Sequence, residues 1–210
     1  MKKISLAVIK RLPRYYRYLS SLEEKNIDRI SSKELSERMQ LTASQVRQDF
    51  NCFGGFGQQG YGYNISNLKS EIANILGINK NKKVIIVGVG HLGQALANYK
   101  YFKNQGFQIV GLFDVDDNKI GREINGMKIL HYDNVDTFLK ENEVDIAVLS
   151  VPYDKTKDTA RHLAELGVKG FWNFAPKELK VSDGIVVENV HLVDSLMVLG
   201  YNIDNEDSTL

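Results

Sequence analysis

An α/β chain, with a small helical module in front of a doubly wound parallel sheet, is the fold class predicted by the 210-residue sequence. Three observations carry that prediction. A strand, a glycine loop and a helix follow one another in KVIIVGVGHLGQALANY, residues 83–99. Two helix-start signatures lie close together in SSKELSERMQLTASQVRQDF, residues 31–50. The charge also changes sign near residue 80: residues 1–80 hold 13 Lys/Arg against 7 Asp/Glu, and residues 81–210 hold 14 against 19. A basic segment joined to an acidic one suits a module that faces a polyanion, although a solvated basic face has the same composition.

The first helix is expected from about Pro13, where the missing N–H of proline is no loss. Leu12, Tyr15, Tyr16, Leu19 and Leu22 have helical spacing. Ser31 with Glu34 fits a capping box and Thr42 with Gln45 repeats it, so short helices are expected over 32–39 and 43–50. Leu35, Met39, Leu41, Val46 and Phe50 can share one apolar face. Ser44, Gln45, Arg47 and Gln48 then point outward from the second helix. Arg and Gln are the side chains that pair bidentately with guanine and adenine edges, and a second helix presenting them matches a helix-turn-helix. Next, FNCFGGFGQQGYGYNI alternates glycine with aromatics, the pattern of a tight hairpin. Helix-turn-helix plus hairpin reads as a winged-helix domain, with the wing tip at Gln58, Gln59 and Gly60. A further helix, Leu68 to about Leu76, ends at Gly77.

The apolar strand KVIIV runs into Gly88, Val89, Gly90, His91, Leu92 and Gly93. A lone GxGxxG is a weak signal, but here a strand precedes it and a helix follows. The first glycine allows a tight turn, the second a close approach to a pyrophosphate, and the third close helix–strand packing. The strand QIVGLFD ends at Asp114, placed to accept hydrogen bonds from an adenosine ribose and to repel a 2′-phosphate, so NAD(H) is expected over NADP(H). The alternation continues through a short piece near 128–130, a helix around 135–140, VDIAVLSVP, KDTARHLAELG, VKGFWNF and GIVVENV. Together these make a Rossmann-like domain. Pro152 and the NFAP turn, residues 173–176 with Ala175 in it, lie at strand carboxyl ends and are candidates for lining the nicotinamide side. A last helix, roughly His191–Tyr201, is apolar on most sides and must be buried, which suggests a second subunit. The expected domains are 1–80, 81–189 and 190–210.

The composition excludes several classes. No apolar run approaches the roughly 18 residues that span a membrane, and no signal peptide is read, so the cytoplasm is expected. One cysteine, Cys52, excludes an internal disulfide framework and a Cys-rich metal site; it reads as a small, partly buried side chain. A dehydrogenase needs a substrate domain and an acid/base group near the hydride site. The chain has room only to complete its sheet, and none of its four histidines has an obvious orienting acid in sequence. No catalytic or metal-ligating set is read. Two rivals stay open: a small NAD-dependent oxidoreductase whose basic N-terminus serves dimerisation, and a winged-helix regulator sensing another nucleotide or an acyl-CoA.

SSKELSERMQLTASQVRQDF, CFGGFGQQGYGY, GVGHLGQALANY, FDVD, VP and NFAP, in this order, resemble the Rex family of bacterial redox-sensing repressors. The resemblance covers nearly the whole chain. It implies a homodimer with a C-terminal helix swapped between subunits, bound to a palindromic, AT-rich DNA operator. It also implies a site where NADH and NAD+ compete, with NADH weakening operator binding and so releasing genes for anaerobic NADH reoxidation. Carried over by motif, Ser44, Gln45, Arg47, Gln48 and the wing at 58–60 contact DNA. Gly88, Val89, Gly90, His91, Leu92, Gly93, Asp114, Val115, Pro152 and Ala175 contact the cofactor, and Arg17 and Tyr99 couple the domains. The chain departs from the family at Gln48, Gln58 and Gln59, where many members are basic, and at His191, where members often carry an acid. Fewer phosphate-facing charges flatten the salt dependence of DNA binding.

Overall fold

The computed structural model describes residues 4–54, 61–181 and 184–205, and the backbone alone of Gly57 and Gln58. The chain divides into two compact units, Met1–Lys80 and Asn81–Leu210.

The first unit begins with α1, Leu6–Glu23. It starts about two turns before the expected Pro13, because Ser5 caps it by accepting the Val8 N–H. Pro13 sits inside the helix on an exposed position, where its ring meets solvent. Val8, Leu12, Tyr15, Leu19 and Leu22 form the buried stripe. The short strand β1, Arg29–Ile30, precedes α2, Ser32–Met39, and α3, Ala43–Asn51. Ser31 and Glu34 form the full capping box, and Thr42 accepts the Gln45 N–H. The turn between the helices passes through Gln40 at φ 55°, a left-handed position held by a non-glycine residue.

β2, Gly57–Gln58, and β3, Gly62–Asn64, pair antiparallel, and β1 adds on the other side of β3. The two residues of β1 carry no periodic signal, and the sequence did not predict that strand. α4, Ile65–Leu76, starts at the Asn64 cap and stops at Gly77, φ 70°. The core of this unit is Leu12, Tyr15 and Leu19 against Leu35, Val46, Phe50, Leu68 and Ile72. The Phe50 ring lies 4.9 Å from that of Tyr15 and 5.0 Å from that of Tyr63. Fully burying side chains of this size contributes about 1.5–3 kcal/mol each.

The second unit is a seven-stranded sheet in the order β10-β9-β8-β4-β5-β7-β6. Its strands are β4, Lys82–Val87; β5, Phe107–Asp114; β6, Glu123–Ile124; β7, Met127–His131; β8, Ile146–Leu149; β9, Gly170–Asn173; and β10, Val186–Asn189. All neighbours are parallel except β6 and β7. Ile85, Val87, Phe113, Ala147 and Leu149 fill one face of the sheet, while Val84, Ile86, Leu112 and Val148 fill the other. A central parallel strand buried on both faces reads as an unbroken apolar run, as Val84–Val87 do.

The order reverses at β4, which has β5 on one side and β8 on the other, so the carboxyl ends of β4 and β8 flank the crevice where such sheets bind ligands. The helix expected after the glycine loop is two pieces, α5, His91–Ala97, and α6, Tyr101–Asn104. α7, Val135–Glu141, and α8, Thr156–Glu165, complete the layers. The last helix, α9, spans Leu192–Asn205. Within one chain none of its residues is buried, and its large apolar side chains from Leu192 to Ile203 are 53–68% exposed.

Candidate functional site

In the first unit α3 is held from behind and open in front. Val46, Asp49 and Phe50 are buried, Ser44, Arg47 and Gln48 are exposed, and Gln45 is half-buried. Asp49 is 1% exposed, and a buried carboxylate is tolerated only with partners. Arg11 of α1 supplies a bidentate pair, 2.7 and 2.6 Å, and the Tyr15 hydroxyl donates at 3.0 Å. That hydrogen bond from Arg11 to Asp49 raises the guanidinium pKa, while burial, and then the Asp49 charge, raise that of the Tyr15 phenol. Arg14 of α1 donates to the last carbonyl of α2, Met39, at 3.2 Å. The outward Arg47 donates to Ser32 Oγ at 3.2 Å across the two-helix motif. Gln58 lies on β2, and Gln59 and Gly60 fall outside the described residues. Arg17 is an exposed residue of α1. Cys52 is exposed rather than partly buried.

In the second unit the three loop glycines answer three different constraints. Gly88 has φ 90°, and a Cβ there would lie 2.5 Å from the Ser150 carbonyl oxygen. A Cβ on Gly93 would overlap the Gly88 carbonyl oxygen. A Cβ on Gly90 would meet nothing within 4 Å. The loop is therefore crowded on its protein side and open at Gly90, the shape that admits a pyrophosphate close to the backbone. No side chain caps the α5 N-terminus at Gly90. His91 is exposed, Leu92 half-buried, and Gly93 buried. Val89 is fully buried, so its side chain packs into the core. Its N–H donates to Asp114 Oδ2 at 2.6 Å, tying the loop to the end of β5.

Asp114 is 6% exposed and holds more than a ribose acceptor requires. Oδ1 accepts the N–H groups of Val115 and Asp116, both at 2.9 Å, and Oδ2 accepts Val89 N–H and, at 3.1 Å, Lys119 Nζ. Burial opposes the charge, but the Asp116 N–H, Lys119 and the Val89 N–H outweigh it and hold the carboxyl below its usual value. Val115, next in the chain, is 70% exposed.

On the β8 side Pro152 is exposed, and its carbonyl accepts from Lys155 N–H and Thr156 Oγ1. Ser150 Oγ donates to the Gly88 carbonyl at 2.6 Å. The NFAP turn is shaped by Asn173, fully buried, which donates to Lys177 O and Asn189 Oδ1 and accepts the Ala175 N–H. Ala175 is 2% exposed, so this turn presents Phe174 and Pro176 to the surroundings more than Ala175. Rings run in contact from Phe174 through Trp172 and Phe102 to Tyr99, at 4.6, 5.8 and 5.0 Å.

Sequence reading missed Ser150, Lys119, Asn189 and the Arg11–Asp49 pair, whose only signals were polar residues at strand ends, in helices and, for Lys119, in the turn after β5. It also left the histidines without acids. His162 on α8 in fact sits 3.0 Å from Asp136 and 3.0 Å from the Tyr132 hydroxyl, and His131 lies 3.3 Å from Asp133. The His162 group joins α7 to α8 rather than lining the glycine loop. Among the described residues no group of His, Cys, Asp and Glu could hold a metal ion, and no helix is long and apolar enough to cross a membrane.

Comparison with known proteins matches both units. A family model described as putative DNA-binding protein N-terminus matches residues 3–51, and one described as CoA binding domain matches residues 79–177. The redox-sensing transcriptional repressor Rex of Caldicellulosiruptor saccharolyticus is 58% identical over 205 residues, covering 98% of this chain and 94% of the relative. The chain belongs to the Rex family. Two solved structures of a Rex-like protein, RSP, align over 99% of the chain. RSP in complex with β-NAD+ and operator DNA has a TM-score of 0.92 at 47% identity, with 95% of its chain covered. RSP in complex with β-NADH has a TM-score of 0.91 at 44% identity, with 97% covered.

Proposed function

We propose that this Rex-family chain is a DNA-binding transcriptional repressor, not an enzyme, that reads the NADH/NAD+ ratio, with NADH releasing it from its operator in the cytoplasm. The carrying observation is the open backbone at Gly90, braced by Asp114, in a chain whose other unit presents Arg47 and Gln48 on a helix held from behind. The names and complexes of the relatives support the same reading.

Ser44, Gln45, Arg47 and Gln48 read the major groove, and the wing at 58–60 reaches beside it. The backbone from Gly88 to Gly93, with His91 and Leu92, would hold the pyrophosphate, and Asp114 and Val115 would take the adenosine end. Pro152 and the turn containing Ala175 face the nicotinamide. When bound, the cofactor presents a nicotinamide ring that is neutral if reduced and cationic if oxidised. Asn173 bonds Asn189 and accepts the Ala175 N–H, which ties the NFAP turn to the end of β10. Tyr99, 54% exposed at the end of the aromatic row, and Arg17 on α1 carry the response between residues 1–80 and 81–189.

The segment 190–210 serves dimerisation. An apolar helix with no buried residue needs a partner surface, and a second copy supplies one, in keeping with a helix swapped between subunits. Two recognition helices must stand about 34 Å apart to enter successive major grooves, so a small change in dimer geometry releases DNA.

The test is a gel shift on a palindromic, AT-rich operator titrated in parallel with NADH, NAD+, NADPH and acetyl-CoA. NADH alone should release DNA at micromolar concentration. Linkage then requires operator DNA to weaken NADH binding by the factor by which NADH weakens DNA binding. Equal NADH affinity with and without operator sinks the reading, and hydride turnover with a small alcohol or aldehyde replaces it with the oxidoreductase.

A further inference from the structure

We propose that Lys119 is a specificity-determining residue of the nucleotide site: its ammonium, seated on Asp114 and reaching Asp116, sets how strongly a 2′-phosphate is refused. The inference rests on the NAD(H)-sensing reading and deepens it, adding a cation to the discrimination expected of Asp114.

The four donors on the Asp114 carboxylate are not equivalent. Three are backbone N–H groups, of Val89, Val115 and Asp116, and they cannot leave without remaking the glycine loop or the turn after β5. The fourth is Lys119 Nζ at 3.1 Å, on a flexible stem and 25% exposed. A ribose hydroxyl that approaches Oδ2 must share it with Lys119 or displace it. Lys119 also lies 3.5 Å from Asp116 Oδ2. The segment Asp114–Lys119 therefore sets three carboxylates, of Asp114, Asp116 and Asp117, against one ammonium. Coulomb attraction between an ammonium and a carboxylate at this distance is substantial in partly screened surroundings. With Lys119 in place the field at the ribose is weakened, and a displaced Lys119 can turn toward a 2′-phosphate. Both effects soften the exclusion of NADP(H).

The test uses the full-length chain and measures Kd for NADH and NADPH by fluorescence titration. Lys119→Met keeps the apolar stem and removes the charge, and it should widen the NADPH/NADH Kd ratio about fivefold at low salt. Lys119→Arg should keep the ratio within about twofold of wild type. Asp116→Asn removes a negative charge from the same group and should narrow the ratio. The widening in Lys119→Met should shrink between 0.05 and 0.5 M salt, as the Debye length falls from about 14 Å to about 4 Å. Equal weakening of both cofactors in Lys119→Met, or an unmoved ratio, overturns the proposal and leaves Lys119 a structural brace. A wild-type chain that binds neither cofactor overturns this proposal together with the NAD(H) reading. A wild-type chain that binds NADH while the Lys119→Met ratio stays fixed overturns this proposal alone.

Discussion

Two alanine substitutions in one loop should fail in opposite ways. Gly93→Ala places a methyl group over the Gly88 carbonyl oxygen, 3.1 Å from the Gly88 carbonyl carbon and 3.1 Å from Ser150 Oγ. The obstacle is backbone, whose N–H donates to the Phe113 carbonyl and whose carbonyl accepts from Ser150 Oγ, so it cannot rotate away as a side chain would. Overpacking costs about 1–3 kcal/mol, and a backbone obstacle argues for the upper end. Replacing a helical glycine by alanine returns about 1 kcal/mol of propensity. The net is about 2 kcal/mol of destabilisation, or a fall of about 8 °C in the melting of a unit this size.

Gly90→Ala meets nothing within 4 Å and has an ordinary φ of −74°. Its stability should stay within about 0.5 kcal/mol of wild type. Its methyl group, however, occupies the space through which a pyrophosphate approaches the backbone. Losing one charge-assisted hydrogen bond there costs about 1.5–3 kcal/mol, about 10- to 100-fold in Kd. Thermal unfolding without ligand and NADH titration of both variants separate the two effects. A Gly90→Ala chain with wild-type NADH affinity, or a Gly93→Ala chain with wild-type melting, refutes the division of labour.

Further outcomes follow from the same geometry. Arg47→Ala should lose about 1–3 kcal/mol of specific operator affinity in a gel shift while NADH binding holds, because Arg47 points away from the core. Arg11→Met strands the Asp49 carboxylate, and the cost in urea unfolding should be about 3 kcal/mol, the low end for a broken buried pair since Arg11 is 22% exposed. Adding Asp49→Asn to Arg11→Met should cost less than the two changes summed. Tyr132 has its pKa pushed up to about 12, by burial first and then by the Asp136 charge, against a smaller opposing contribution from Thr159. The fold favours the neutral phenol, so its contribution is complete below about pH 10, the unfolded value, and is lost as pH rises through about 12. Unfolding at stepped alkaline pH should show a shallower decline in Tyr132→Phe than in wild type. Leu196→Asp with Leu199→Asp should turn a dimer into a monomer in sedimentation, with the sheet intact by circular dichroism.

The features legible in the sequence share one property: their causes lie within a few residues. Ser31 and Glu34 cap α2 across three positions, Gly77 ends α4 at once, and Val84–Val87 are apolar throughout because both faces of the strand are covered. The GxGxxG loop announced itself because the turn, the helix start and the packing glycine follow in one short run. Elsewhere local cues compete. Pro13 looked like a helix start, but the Ser5 cap began α1 earlier, and the helix after the loop divided at residues 98–100.

What only the folded chain decided are contacts between residues far apart in sequence. Arg11 reaches Asp49 across 38 positions and Val89 reaches Asp114 across 25. Asn173 meets Asn189, and Tyr132 and Asp136 close on His162. β1 exists because β3 offers an edge to pair with. No local pattern encodes such pairs, since each partner's position depends on how entire strands and helices stack. The sequence could thus mark Asp114 as the acid at the ribose; the packing of β5 against the glycine loop and Lys119 set the company that acid keeps.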